Sequence, residues 1–158
     1  MNGTKWTRAL LVFGLVGLAA CGGGEPAEEV ADGAPEASAA PTMPEAPVIA
    51  AAELANASAH EGMAVRVNGL LVSSAVGTSA VFVNLPTSPA PTPFLVHFAA
   101  PPVPAAGRSF DVVGTVTPVT PEVVEGWISS GAITENDRLM VEFATHYLES
   151  QAVQPAGM

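Results

Sequence analysis

Glu61-Gly62-Met63-Ala64-Val65-Arg66-Val67-Asn68-Gly69-Leu70-Leu71-Val72 (61–72) is the stretch whose reading decides the fold. Val65, Val67, Gly69 and Leu71 fall on one parity, Arg66 and Asn68 on the other. Successive side chains of a strand leave opposite faces, so this period of two predicts a half-buried strand over Met63–Ser73. Leu70 and Val72 put apolar side chains on the polar parity, which predicts burial on both faces at the far end, or a bend. Gly69 in mid-strand suits the sharp coiling that closes a small barrel.

Working outward, Ala51–Ala59 is an alanine-rich helix candidate, and Gly77-Thr78 reads as a turn into a second strand, Ala80–Leu85. Pro86–Pro93 holds four prolines and is expected to be a loop. A third strand follows at Phe94–Phe98, then a second proline-rich loop at Pro101–Gly107. Ser109–Thr117 repeats the alternation through Phe110, Val112, Gly114 and Val116. Thr120-Pro121 opens a helix, with threonine as N-cap and proline at the first helical position. Val123, Val124, Trp127 and Ile128 share its apolar face, and Gly131 stops it. Thr134-x-x-Asp137 has the form of a capping box, consistent with a further helical turn. Phe143–Val153 reads as the last strand, with a helix as the competing reading.

Several short strands separated by turn signals predict a small barrel or sandwich. Ala52-Glu53-Leu54-Ala55-Asn56 followed by 61–72 resembles the first strand of OB-fold domains of the tRNA-anticodon-binding-like type, where a short helix precedes Gly-x-x-Val-x-Val-x-Gly. Gly107-Arg108-Ser109-Phe110-Asp111-Val112-Val113-Gly114-Thr115-Val116 resembles the later strand that repeats the pattern. The resemblance implies a mainly β domain over 48–158, a five-stranded OB-like barrel with one or two short helices. One departure stands out. An OB-fold normally carries its helix between strands three and four, whereas here that gap is Pro101–Gly107 and the helix falls between strands four and five.

The amino terminus has a different character. Lys5 and Arg8 precede a nearly apolar run, Ala9–Leu18, which ends in Leu18-Ala19-Ala20-Cys21. A positive start, a short apolar core and a small-residue site define a secretory signal, here residues 1–20. The run is shorter than the roughly 20 residues that a membrane-spanning helix needs. Leu18-Ala19-Ala20-Cys21 resembles the lipobox of bacterial lipoproteins, and Cys21 is the chain's single cysteine, with no partner for an internal disulfide. The resemblance implies cleavage before Cys21 and acylation of its thiol and new amino group with palmitate-like chains, which hold stably to a bilayer when two or more are present. Gly22 after the cysteine, rather than aspartate, implies the periplasmic face of the outer membrane in a Gram-negative envelope. Residues 22–47 carry six acidic residues, no basic ones and much alanine and proline. Such a segment buries too little surface to offset its ordering entropy, so 21–47 is expected to be a lipidated, disordered tether.

The whole chain has a formal charge of −10, and without residues 1–20 its 15 acidic residues face only Arg66, Arg108 and Arg138. Nucleic-acid affinity comes largely from neutralising phosphates with Lys and Arg, so this balance argues against nucleic acid as a partner. No nucleophile elbow, His-Glu-x-x-His, Cys-x-x-Cys or phosphate loop is present. His60, His97 and His146 are scattered over separate elements, where metal binding needs converging ligands. His97 is expected to face solvent or a barrel mouth. Trp127 and Phe143 read as core, and Asp111, Glu122 and Glu125 as a solvated acidic face. The sequence therefore predicts a membrane-anchored envelope lipoprotein, a non-enzymatic binding or interaction module with no catalytic residue, cofactor or metal. Its partner would be an envelope protein or a small ligand. The alternative is a periplasmic small-ligand or metal carrier using the acidic surface and the histidines.

Overall fold

A computed structural model describes residues 43–157 of the 158-residue chain. The expected export signal, Cys21 and the expected tether as far as residue 42 lie outside the described residues. Strands β1 (Val48–Ile49), β2 (Ala64–Val76), β3 (Ala80–Leu85), β4 (Thr92–Phe98), β5 (Ser109–Pro118) and β6 (His146–Pro155) form one sheet. A 3-10 segment, Ala51–His60, precedes β2, and helices α1 (Pro121–Ser130) and α2 (Arg138–Glu142) lie between β5 and β6. The strand order is β1-β2-β3-β4-β6-β5, and β5 pairs back onto β2. Strands β2 to β6 thus close into a barrel. The β4–β6 pair is parallel, while β2–β3, β3–β4, β5–β6 and β2–β5 are antiparallel. This is the five-stranded, OB-like barrel that the sequence predicts.

The interior is filled by alternate residues of every strand: Val65, Val67, Leu70 and Val72 from β2, Val81 and Val83 from β3, Val96 and Phe98 from β4, Phe110 and Val112 from β5, and Leu148 from β6. Closure leaves only short free edges, at the ends of individual strands, which limits edge-to-edge association.

Strand β2 departs from the simple alternation. Val65 and Val67 point inward, but Leu70 and Val72 are also buried, whereas Leu71 is 46% exposed. The register with β5 shifts between Val67 and Leu70. Gly69 sits there at φ 68°, and its N–H donates to Asp111 Oδ1 at 2.8 Å. One extra residue in the strand inverts the inward parity beyond it. The bend allowed by the sequence is therefore the outcome, and Leu71 is placed outside the core.

The 3-10 segment splits at Asn56 (φ −111°, ψ 52°) into two short turns, as the poor geometry of long 3-10 runs requires. Its Leu54 and Ala57 are buried in the barrel core, and it touches β2, β3, β4 and β5. It stoppers the pole where β2 begins and β3 ends. Strand β4 starts at Thr92, two residues earlier than expected. Pro93 is tolerated because β6 pairs with β4 only from Leu95 onward, so β4 is an edge at that point. The last strand begins at His146 rather than Phe143, and Phe143 is 86% exposed rather than core. The residues before it turn as α2, so the chain reaches the sheet three residues late. Helix α1 matches its sequence signals: Thr120 Oγ1 accepts from the Val123 N–H at 3.4 Å, and Gly131 closes it at φ 76°.

Candidate functional site

Three surfaces of the barrel carry the features from which a function could be built. The first is the outside of β3, β4 and β6. There Ala80, Phe82, Leu95, His97, Tyr147 and Glu149 alternate with the inward residues. An OB-fold binds oligonucleotides or oligosaccharides on the face of its second and third strands, flanked by the connections between strands one and two and strands four and five. In this chain α1 and α2, which belong to the latter connection, lie over that face. Val124, Trp127, Ile133 and Val141 pack on Val76, Ala80, Leu95 and Tyr147 as a second apolar core. The cover is latched to the β2–β3 turn: the Thr78 N–H donates to the Ala132 carbonyl at 2.9 Å, and Ser79 Oγ donates to it at 3.3 Å. Gly77 makes room for the latch, since a Cβ there would lie 2.2 Å from that carbonyl oxygen.

Under this cover lies His97, only 8% exposed. The sequence reading placed it towards solvent or a barrel mouth. Its parity does point it out of the barrel, but α1 closes over it. Trp127 stacks on its ring with centroids 4.5 Å apart and planes 16° from parallel. Its Nδ1 meets Glu149 Oε2 at 3.0 Å. Tyr147 stands edge-on to Trp127 at 4.8 Å, and burial, with the Glu149 charge adding to it, pushes its hydroxyl pKa up. The His–carboxylate pair is thus roofed by an indole and lines none of the clefts described below.

The other charged candidates are engaged locally. His146 Nε2 lies 3.4 Å from Glu61 Oε2. Arg138 is held by Glu125 at 2.7 Å, Glu135 at 2.9 Å and Glu142 at 3.7 Å, and its hydrogen bond lowers the Glu135 pKa. The Glu122 carboxyl's hydrogen bond from its own backbone N–H, with a second from the Thr120 side chain, lowers its pKa. Asp111 holds the β2 bulge. Among the described residues, no group of three or more His, Cys, Asp or Glu could hold a metal ion.

The second surface surrounds α2. Leu139 (67% exposed), Met140 (47%) and Phe143 (86%) stand out of the domain within five residues of one another. Phe143 borders two adjoining clefts. One, of about 310 Å³, runs past Asn56, Thr92, Phe94 and His146. The other, of about 300 Å³, runs past Ser73, Phe82, Pro93 and Met140. The third surface is a cleft of about 580 Å³ at the pole opposite the 3-10 stopper, between 102–110 and 153–156.

Sequence reasoning missed the α2 patch because it took Phe143 into a strand; the Thr134–Asp137 signal, carried through a full helical turn, would have found it. Nothing local marks the cleft at the far pole, which exists only once the barrel closes.

No protein family matches this chain, and no curated protein does. Among solved structures, the chain is similar to an aspartyl-tRNA synthetase from Leishmania major Friedlin, at a TM-score of 0.41 and 16% identity over 73% of this chain. The match spans only 21% of that structure's length. The OB-like assignment rests on the closed strand order.

Proposed function

We propose that this chain is a membrane-anchored envelope lipoprotein whose barrel is a non-enzymatic interaction module, docking another envelope protein through the α2 surface. Leu18-Ala19-Ala20-Cys21 and the acidic 22–47 segment support the anchor and its spacer. The observation that carries the interaction reading is the exposure of Leu139, Met140 and Phe143 on a domain whose usual ligand face is covered by its own helices. Apolar side chains clustered this way beside clefts mark protein-binding surfaces on soluble domains. The acidic balance argues against a nucleic-acid partner. Gly22 after Cys21 supports the outer membrane where the organism has one.

The test joins the two halves of the reading. Intact mass and membrane fractionation are compared for the native protein and Cys21→Ala, and a photoreactive side chain is placed at Phe143 or, as control, at exposed Asn68. The expected result is acyl mass on a chain starting at Cys21, membrane retention lost in Cys21→Ala, and one discrete cross-linked partner from position 143 alone. An unacylated soluble chain overturns the anchor. Equal cross-linking from Asn68 overturns the docking surface. A second reading, a carrier of small ligands, is favoured by the cleft at the barrel pole opposite the 3-10 segment.

A further inference from the structure

The barrel has two poles, and the chain treats them differently. Leu54 and Ala57 of the 3-10 segment stopper the pole where β3 ends and β4 begins. At the other pole β4 ends, β5 starts and β6 finishes, as the pairing of Phe110 with Pro155 and of Leu71 with Ser109 requires. This is where a helix joining the third and fourth barrel strands would stand. Pro101, Pro102 and Pro104 occupy that connection instead, and prolines this dense exclude a helix. Only the partly buried Val103 reaches the core from it. What remains is the cleft of about 580 Å³, within the range of roughly 300–1,000 Å³ typical of small-ligand sites.

Its lining is chemically one-sided. Pro102, Pro104, Phe110, Val153 and Pro155 supply an apolar, rigid wall, and Arg108 supplies a guanidinium. No Asp or Glu lines it, in a chain that has 15. Arg108 is exposed and forms no salt bridge with a described residue; Arg66 forms none either, but its Nε is buried without a hydrogen-bond partner and away from the cleft, whereas Arg138 is surrounded by three carboxylates. Among the described residues two arginines thus form no ion pair, and the exposed one, Arg108, stands beside a mainly apolar cleft of about 580 Å³.

We propose that this cleft binds a small organic anion, an apolar body carrying a single carboxylate, with Arg108 as the counter-charge. A neutral apolar molecule would leave the guanidinium unused. A polyanion would find one cation and a surrounding field of the wrong sign. Arginine suits the role because its planar fork matches a carboxylate with two parallel N–H donors. The proposal is independent of the anchor and of the α2 surface.

The test uses the full chain with Cys21→Ala, so that no acyl group competes, and titrates 4-phenylbutyrate against its neutral twin, 4-phenylbutyramide, by calorimetry. The expected result is one site per chain, with the carboxylate bound about tenfold more tightly, as for a hydrogen bond to a charged group. Arg108→Gln should abolish that preference while the unfolding midpoint stays put, and Ala156→Phe, which fills the cleft from its rim, should abolish binding of both. Equal affinity for the two compounds in the unsubstituted cleft overturns the proposal. So does a preference that survives Arg108→Gln, binding undisturbed by Ala156→Phe, or no binding at millimolar concentrations.

Discussion

Trp127 lies flat against His97, centroids 4.5 Å apart, on the outside of the barrel and not within it. The contact joins the middle of α1 to the end of β4, and Glu149 on β6 meets the imidazole at Nδ1, 3.0 Å away. A β-barrel with one polar outer face needs no such arrangement. Its presence means that the sheet carries two apolar faces, one filled by the barrel interior and the other by the helices between β5 and β6. The face on which an OB-fold ordinarily binds its ligands is here packed as core.

Trp127→Ala measures how firmly the cover is held. The indole is 8% exposed and packs among Val124, Ile133, Val141 and Tyr147. Truncating a buried aromatic of this size costs about 3–5 kcal/mol. Urea unfolding should show a loss in that range. A loss under about 1 kcal/mol would mean that the helices rest loosely on the sheet and that the face beneath is accessible.

The two glycines of the strand motifs should fail for different reasons. Gly69 has open space around it but φ 68°, so Gly69→Ala meets only the left-handed backbone penalty, about 1–2 kcal/mol. Gly114 has no positive φ, yet a Cβ there would lie 2.4 Å from the Glu149 carbonyl oxygen. Gly114→Ala must push β5 away from β6 along the barrel's longest ladder, and overpacking of this kind costs about 1–3 kcal/mol or more. Thermal unfolding of the pair should rank Gly114→Ala below Gly69→Ala, and the reverse order would contradict the close approach of β5 and β6.

How far the fold could be read in advance depends on where each feature's information lies. Strands β3 and β5 and helix α1 were legible because alternation, capping by Thr120 and the Gly131 stop are all local. The inversion in β2 was legible only as a choice, because Leu70, Leu71 and Val72 are all apolar and either parity could go inward. Asp111, 42 residues away, holds the inverted register by accepting from Gly69. His97 was misplaced for a related reason: its parity is readable from β4, but whether anything covers that parity depends on α1. Phe82, Leu95 and Tyr147, apolar on the outward parity of three strands, were the signal that the outer face is also buried. The cleft at the far pole depends on segments 102–110 and 153–156 meeting at one end of a closed barrel.

The acid limb of stability should involve Glu135. The Arg138 guanidinium holds its carboxyl below the ordinary range, so the carboxylate contributes stability above its unfolded-state value, about 4.3, and that contribution is lost as pH falls through the lower folded value. Glu135→Gln removes it at every pH. The melting temperatures of the two proteins should therefore differ at pH 7 and converge towards pH 3. A gap of constant size across that range would show that the substitution acts through something other than the ion pair.

Tyr147 governs the opposite limb. Burial raises its pKa, so folding favours the neutral phenol. The contribution is complete below the unfolded-state value, about 10, and is lost as pH rises through the folded one. Tyr147→Phe keeps the ring between Trp127 and the sheet while removing the titrating group. Its melting temperature should fall less steeply than that of the parent between about pH 9 and 11, one unit either side of the ordinary phenol value. Parallel curves would place the alkaline loss elsewhere.

Phe143 and Val141 are two residues apart and should behave oppositely. Val141 is fully buried against the outer face, while Phe143 is 86% exposed. Val141→Ala removes buried methyl groups and should cost about 1–2 kcal/mol in urea. Phe143→Ser removes a larger side chain from solvent and should leave stability within about 0.5 kcal/mol. The same variant should abolish cross-linking from neighbouring Met140 if the exposed ring anchors a partner, because a side chain that folding does not use can only be felt in what docks on it. A stability loss above about 1.5 kcal/mol in Phe143→Ser would return the ring to the core and remove the reason for assigning this surface to a partner.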